Sequence, residues 1–348
     1  MSETLHQLRE SARHVLAELG LAAAEPSTWD LVTELGWLLV AVPEELGGLG
    51  QGLSGACAFH TELGRGLASV PYASATLAID AVCRIGAGRR ADWVQRLTAG
   101  EYVCTPLSDS TQIARVAAGK LTLRGVASAV PSADKASHIL VCSSAADCVA
   151  LVPLDRAGVQ LTYRPTWDST RRLFDVHFTD VALDEPLMLA RETDAQALCR
   201  ALSIQRDLAL AADSVGGAGA LLERTVDYLQ TRRQFARPLA LFQALKHRCA
   251  DLKTQLAAAE ALLIGSLDRI GDSLDAPGAE AAAKAAKYLA CSMYASLAEE
   301  ALQLHGGIGM TVEHPCHLFL KRALLNQQLG RRPDCYEPDL ADALLGGL

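Results

Sequence analysis

The run Tyr228-Leu229-Gln230-Thr231-Arg232-Arg233-Gln234-Phe235-Ala236-Arg237-Pro238 decides how this chain is read, together with two segments downstream. Gln243 follows one short loop later, and Gln303-Leu304-His305-Gly306-Gly307-Ile308-Gly309 closes a later helix. The Arg232 guanidinium is permanently charged and can fork onto phosphate oxygens in a geometry lysine does not reproduce. Phe235 offers a flat face, and Gln234, Gln243 and Gln303 offer amides. Gly306 and Gly307 permit close backbone approach and positive φ. The set suits a nucleotide pyrophosphate and its adjoining ring. Each member alone has an ordinary structural use: Arg232 could complement a helix dipole while Phe235 enters the core, and Gly306-Gly307 could simply stop a helix. The spacing Tyr228-x3-Arg232-x-Gln234-Phe235-x2-Pro238-x4-Gln243 is far more specific than any one residue in it.

Outward from that run the chain has three textures. Residues 1–99 show helical apolar spacing from Leu5 to Leu19, a break at Pro26, and a new N-cap at Ser27-Thr28-Trp29-Asp30 opening a helix that ends near Gly36. Gly47-Gly48 and Gly50-Gln51-Gly52 predict a loop, and Ala56 to Gly64 a further helix. Over residues 100–184 the period becomes two. Leu121-Thr122-Leu123, Ile139-Leu140-Val141, Ala150 to Leu154 and Val176-His177-Phe178 are expected to form a small antiparallel β domain. Residues 185–348 return to helix, with one helix beginning near Asp207. Leu245, Cys249, Leu252, Leu256, Ala259 and Leu263 mark another, and Ala279 to Leu304 a third, separated by a turn from Asp272 to Gly278.

Composition excludes several classes of function. At 348 residues, with 50% hydrophobic and 21% charged residues, the chain is long and apolar enough for substantial cores and is not generally disordered. A net charge of −8 without long Lys/Arg runs argues against nucleic acid as partner. No apolar run is long enough to span a membrane, and Met1 to His6 does not open a signal peptide. The ten cysteines are scattered, so they are expected as small core residues with reduced thiols in a cytoplasmic protein. His305, His314 and His317 lie close in sequence but lack a ligand set at metal-binding spacing, so no metal is expected.

With Pro43-Glu44-Glu45-Leu46-Gly47-Gly48-Leu49-Gly50, the segments quoted above make the chain similar to the flavin-dependent acyl-CoA dehydrogenases over nearly its whole length. The resemblance implies an α+β fold with N-terminal helices, a central β domain and a C-terminal helical bundle that builds the oligomer. It also implies FAD, with Arg232, Gln234, Phe235, Gln243, Gln303, Gly306 and Gly307 gripping the pyrophosphate and adenosine half bound by a neighbouring subunit. Ala236 stands where the family usually has glycine. Asp168-Ser169-Thr170-Arg171 matches a common Asp-x-Thr-Arg, expected as a structural turn and salt bridge.

Where the family meets the flavin ring, the match decays. Its usual Thr-Glu-Pro-x2-Gly-Ser-Asp reads Cys104-Thr105-Pro106-Leu107-Ser108-Asp109-Ser110 here, and Gly125 to Ser132 contains no aromatic plate. The family's base, a carboxylate that takes the acyl α-proton while hydride leaves the β-carbon, falls on Gly330, or in a minority of members on Arg206. Neither residue can act, so no catalytic residue is assigned. Asp207 adjoins the second position, but a helical step of about 100° is expected to turn it away, leaving it an N-terminal-turn aspartate.

The resemblance therefore implies one base-lacking subunit of a heteromer, similar to bacterial α2β2 dehydrogenases that shorten sterol and bile-acid side chains. Its expected partners are a homologous base-carrying subunit, an acyl-CoA and electron-transfer flavoprotein or a similar acceptor. The alternatives are a self-sufficient homo-oligomer using Asp207 or another carboxylate, and a non-enzymatic scaffold.

Overall fold

A computed structural model describes residues 3–85, 87–108, 111–117, 120–143, 148–271 and 273–345; Asp109, Ser110 and Asp272, which entered the readings above, lie outside them. The N-terminal helices are α1 (Glu3–Leu19), α2 (Glu25–Glu34), α3 (Gly52–Arg65), α4 (Tyr72–Cys83) and α5 (Ala87–Thr98). Pro26 does not break the chain. It sits in the first turn of α2, where a missing N–H costs nothing because that donor has no intrahelical partner.

Eight strands follow: β1 (Val103–Cys104), β2 (Thr111–Ala117), β3 (Lys120–Pro131), β4 (His138–Ser143), β5 (Cys148–Pro153), β6 (Val159–Arg164), β7 (Leu173–Ala182) and β8 (Met188–Arg191). They form two four-stranded sheets, β1-β4-β5-β8 and β2-β3-β7-β6. The second is antiparallel, but the first is mixed, because β1 runs parallel to β4, pairing Val103 with His138. The expected purely antiparallel domain is corrected on this point: β1 reaches β4 by a crossover through the other sheet, not by a hairpin. Val141, Val149, Ala150 and Val152 are fully or almost fully buried, hence the continuous apolar runs in β4 and β5.

Helix does not resume at Glu185, because β8 first completes the mixed sheet beside β5. The helix then begins at Glu192 and not near Asp207: α6 (Glu192–Thr231) is 40 residues long, so Asp207 is no N-terminal-turn residue. A short hairpin, β9 (Arg233–Gln234) and β10 (Arg237–Pro238), leads to α7 (Gln243–Ile270), α8 (Ala279–His305), α9 (Cys316–Gln328) and α10 (Pro333–Leu345). Glycines let α3 and α6 touch: a Cβ on Gly64 would stand 2.1 Å from the Asp213 carbonyl oxygen, and one on Gly216 1.8 Å from that of Thr61. No described helix is long and apolar enough to cross a membrane. All ten cysteines are free thiols, five of them buried.

The sheets are tied to the bundle by one buried ionic cluster. Arg322 of α9 is 1% exposed; its Nε donates to Asp168 Oδ2 (2.9 Å) and its Nη1 to Asp213 Oδ2 (3.1 Å) of α6. Thr170 closes the Asp168 turn through its N–H (2.9 Å) and hydroxyl (2.5 Å) to Asp168 Oδ1, and Arg171 reaches Asp213 at 3.0 Å. Burial would raise the Asp213 pKa, but Arg171 and Arg322 outweigh it and hold the carboxyl below its ordinary range. The turn and salt bridge expected from Asp-x-Thr-Arg are thus present. Arg322→Met should lower unfolding free energy by about 3–5 kcal/mol, because it removes the ion-pair partner of the buried Asp168 carboxylate and leaves Asp213 paired with Arg171 alone. Urea unfolding followed by circular dichroism checks this, and a loss under about 1 kcal/mol would contradict the tying role.

Candidate functional site

The two positions where a base is expected meet in space. Gly330 follows α9 with φ +73°, and a Cβ built on it would lie 2.9 Å from the Tyr336 hydroxyl, 3.1 Å from Asp207 Oδ1 and 3.5 Å from Arg206 Nε. Asp207 is therefore not turned away, as the helical step suggested. Its carboxylate points at the vacant side-chain position of Gly330, because the backbone after α9 folds back across that face of α6. The carboxylate accepts from Tyr336 (3.0 Å) and from Arg206 Nε (3.2 Å). Burial pushes its pKa above the ordinary carboxylate range, against the opposing charge of Arg206 and the Tyr336 hydrogen bond. Lys287 of α8, 1% exposed, donates to the Gln327 and Arg331 carbonyls and lies over the Tyr336 ring at 4.6 Å.

The Leu107–Ser108 backbone lies against this cluster. The Gly330 N–H donates to the Leu107 carbonyl at 2.5 Å, and Ser108 bridges to Gly330. The segment expected at the flavin ring thus lies in direct backbone contact with the expected base position. The cavity lined by Leu107, Pro131, Ser132, Arg172 and Leu210 holds about 30 Å³. That admits about two waters, and neither Asp207 nor Gly330 lines it.

The residues expected to grip a nucleotide lie elsewhere, on an open face. Arg232 caps the C-terminus of α6. Phe235 and Ala236 are the two central residues of the β9–β10 turn, with φ +52° and +62°. Positive φ at both is the primed hairpin turn that matches strand twist, and it strains any residue with a Cβ. Phe235 is 87% exposed, so the alternative that placed it in the core is excluded; its nearest aromatic neighbour is Phe242, at 6.1 Å and edge-on. Arg232, Gln234, Gln243, Gln303, Gly306 and Gly307 are exposed too. Gly306, φ +64°, caps α8 as the glycine pair suggested.

An aromatic stack sets the two halves of this face side by side. The Tyr228 ring of α6 stacks on His305 of α8 with centroids 4.6 Å apart, and its hydroxyl donates to the His305 carbonyl (3.2 Å). His314 closes on His305 at 4.4 Å. The ends of α6 and α8 are thereby joined, and with them the Arg232 hairpin and the Gln303–Gly307 segment. His305 Nδ1 donates to the Ala301 carbonyl (2.8 Å), which leaves Nε2 buried without a partner. Burial lowers the His305 pKa, so the ring packs neutral. Among the described residues no group of three His, Cys, Asp or Glu could hold a metal ion. Tyr336 and Lys287 were not foreseen as members of the closed cluster, since no local pattern marks them; only the return of α10 over α8 places them there.

Comparison with known proteins agrees with this architecture. Residues 2–101 match the acyl-CoA dehydrogenase N-terminal domain and residues 197–330 its C-terminal domain. Acyl-CoA dehydrogenase IpdE2 of Mycolicibacterium smegmatis is 32% identical over 341 residues, covering 94% of this chain and 95% of the relative. The chain belongs to the acyl-CoA dehydrogenase family. FAD is that family's cofactor. The IpdE2 of Mycobacterium tuberculosis is 33% identical, covering 89% of this chain and 84% of the relative. The ChsE4–ChsE5 complex of Mycobacterium tuberculosis superposes with a TM-score of 0.88 at 22% identity, over 99% of this chain and 98% of that one. A Tcur3481–Tcur3483 steroid ACAD, solved as a G363A variant, superposes at 0.87 with 26% identity, over 99% and 98%. The likeness runs through the whole length of both chains, so helices, β domain and bundle are the family's own arrangement.

Restoring a carboxylate at the usual place should fail for a steric reason. In Gly330→Glu the new Cβ meets Tyr336 and Asp207 at a φ that side chains rarely adopt. Thermal melts should show a destabilised protein, and the chain alone should gain no acyl-CoA dehydrogenation. A Gly330→Glu variant that melts like the unaltered protein would show that the site is open.

Proposed function

We propose that this chain is the base-lacking subunit of a heteromeric FAD-dependent acyl-CoA dehydrogenase that carries out α,β-dehydrogenation of an acyl-CoA. The contact between Gly330 and Leu107 carries the reading, because it closes the chain's own ring site while the gripping face stays exposed. The residues present fit half of the cofactor. Arg232 would hold pyrophosphate oxygens, Phe235 would cover a ring, and Gln234, Gln243, Gln303 and the Gly306–Gly307 backbone would fix the remaining polar edges. The flavin supplies the hydride acceptor when bound, and its ring would lie against a homologous partner subunit that also supplies the base. An α2β2 assembly, with electron-transfer flavoprotein or a similar acceptor, follows the same reading. Its resemblance to a steroid ACAD made of two unlike chains supports a sterol or bile-acid side chain as the acyl group.

A second reading rests on Asp207. Its carboxylate stands beside the position of the family's base, so a homo-oligomer using Asp207 is the competing assignment. Burial favours the protonated acid, and Tyr336 and Arg206 occupy its oxygens, which weighs against it as a base.

Three measurements separate these readings. The chain expressed alone should retain little flavin, and co-expressed with its partner about one FAD per pair of unlike subunits; one tight FAD per chain in the isolated protein would overturn the proposal. Arg232→Ala should weaken FAD retention roughly tenfold to a hundredfold by removing a charge-assisted contact, and Arg232→Lys should recover only part. Absorbance after gel filtration reads both. Asp207→Asn should leave turnover of the complex within a few-fold. A positioned base contributes typically 10²–10⁴-fold, so a hundredfold loss at unchanged flavin content and melting temperature would assign the base to this chain.

A further inference from the structure

A cavity of about 240 Å³ lies between α3, α4 and α6 and reaches Gly271 and Leu274 in the α7–α8 connection. It is separate from the closed cluster. Gln205 and Ala209 of α6 face it, whereas Asp207, two residues from each, is turned by about 200° to the other side of the helix. Its walls are mostly apolar, with Leu38, Leu53, Ala56, Cys57, Leu77 and Ile79 among them. The polar groups at its edge are already satisfied. Asp80 accepts from Gln205 Nε2 (2.5 Å) and Arg84 Nε (2.5 Å), and the Thr76 hydroxyl donates to the Tyr72 carbonyl (3.0 Å).

His60 is the exception. It is 5% exposed, lines both this cavity and the 30 Å³ one, and makes no hydrogen bond to a described residue. Its ring is held edge-on against Tyr72 at 4.9 Å. Burial, only partly offset by Asp213, lowers its pKa to about 4, so near neutral pH the imidazole is uncharged and can donate or accept. Burying such a group without a partner costs free energy that a ligand oxygen would return.

We propose that this cavity is a binding site for a compact, neutral, apolar molecule carrying a single ketone or hydroxyl oxygen, with that oxygen hydrogen-bonded to His60. The volume lies just below the ~300 Å³ at which pockets for drug-sized ligands begin, which suits about ten non-hydrogen atoms. A carboxylate is disfavoured, because Arg84 in the wall is already paired with Asp80 and the His60 ring carries no charge. The site does not rest on the FAD assignment.

The probe is 2-decalone, titrated calorimetrically into the full-length chain, with decalin and decanoate as comparators. Saturable one-to-one binding of 2-decalone is expected, with decanoate weaker. His60→Phe should weaken the ketone roughly three- to tenfold, the loss of one hydrogen bond, while leaving decalin unaffected. Ala56→Leu, which fills the space, should weaken both more than tenfold; if it does not fold, Ala56→Val should do the same to a smaller degree. Arg232→Ala should leave ketone binding unchanged, so a failure here is distinct from a failure of the FAD reading. No saturation by 2-decalone up to about 1 mM, tighter binding of decanoate, or indifference of the ketone to His60→Phe would each overturn the proposal.

Discussion

A buried guanidinium holds the three parts of this protein in register. Arg322 comes from α9, Asp168 and Thr170 from the turn entering β7, Asp213 from the middle of α6, and the Ala68 carbonyl from the connection after α3. Two arginines, Arg171 and Arg322, meet two aspartates, so the set is neutral as a whole. Asn326 donates to the remaining Asp213 oxygen (2.7 Å) and helps satisfy it. Such a cluster is weak support for stability by itself, but any single deletion leaves a charge stranded in low dielectric. It therefore acts as a register pin: β domain, first helices and bundle must arrive together or not at all.

The pin also bears on the backbone around Gly330. Gly330 lies two residues beyond α9, the helix that carries Arg322 and Asn326, so the path of the backbone there is set by contacts that do not involve a catalytic side chain. With no side chain at 330, the backbone can approach Leu107 to hydrogen-bond distance, and Tyr336 and Asp207 fill the space behind. α10 is held over α8 by Lys284 and Arg331 on Asp339 and by Tyr288 on Glu337. Each of these contacts makes reopening harder. The position is filled by specific hydrogen bonds, not merely emptied.

On the face of the β9–β10 hairpin Arg232, Gln234, Phe235 and Gln303 are exposed, while Gln243 meets His247 (3.0 Å) and Arg237 lies over the Phe242 ring (3.8 Å). Phe235 stands almost wholly in solvent on a turn that already strains two residues with Cβ atoms. An aromatic side chain exposed on a strained turn contributes little to the folded chain alone, and local strain of this kind gathers at binding surfaces. The Tyr228–His305–His314 stack beneath gives that surface a rigid base, since three packed rings have few alternative arrangements.

Much of this was legible in the residues. Helical periodicity marked α7 and α8, alternation and apolar runs marked β3, β4, β5 and β7, and the Arg232–Gln243 spacing marked the family. Asp168-x-Thr170-Arg171 announced its turn because short-range hydrogen bonds depend on local sequence alone. β6 is nearly all exposed and β8 only four residues long, so neither carries a strong apolar pattern. The parallel pairing of β1 and the direction of Asp207 were decided by chain crossings that periodicity does not encode. A helical wheel says which way Asp207 points from α6; only the tertiary fold says that Gly330 and Tyr336 are what it meets, because those contacts join residues more than a hundred positions apart.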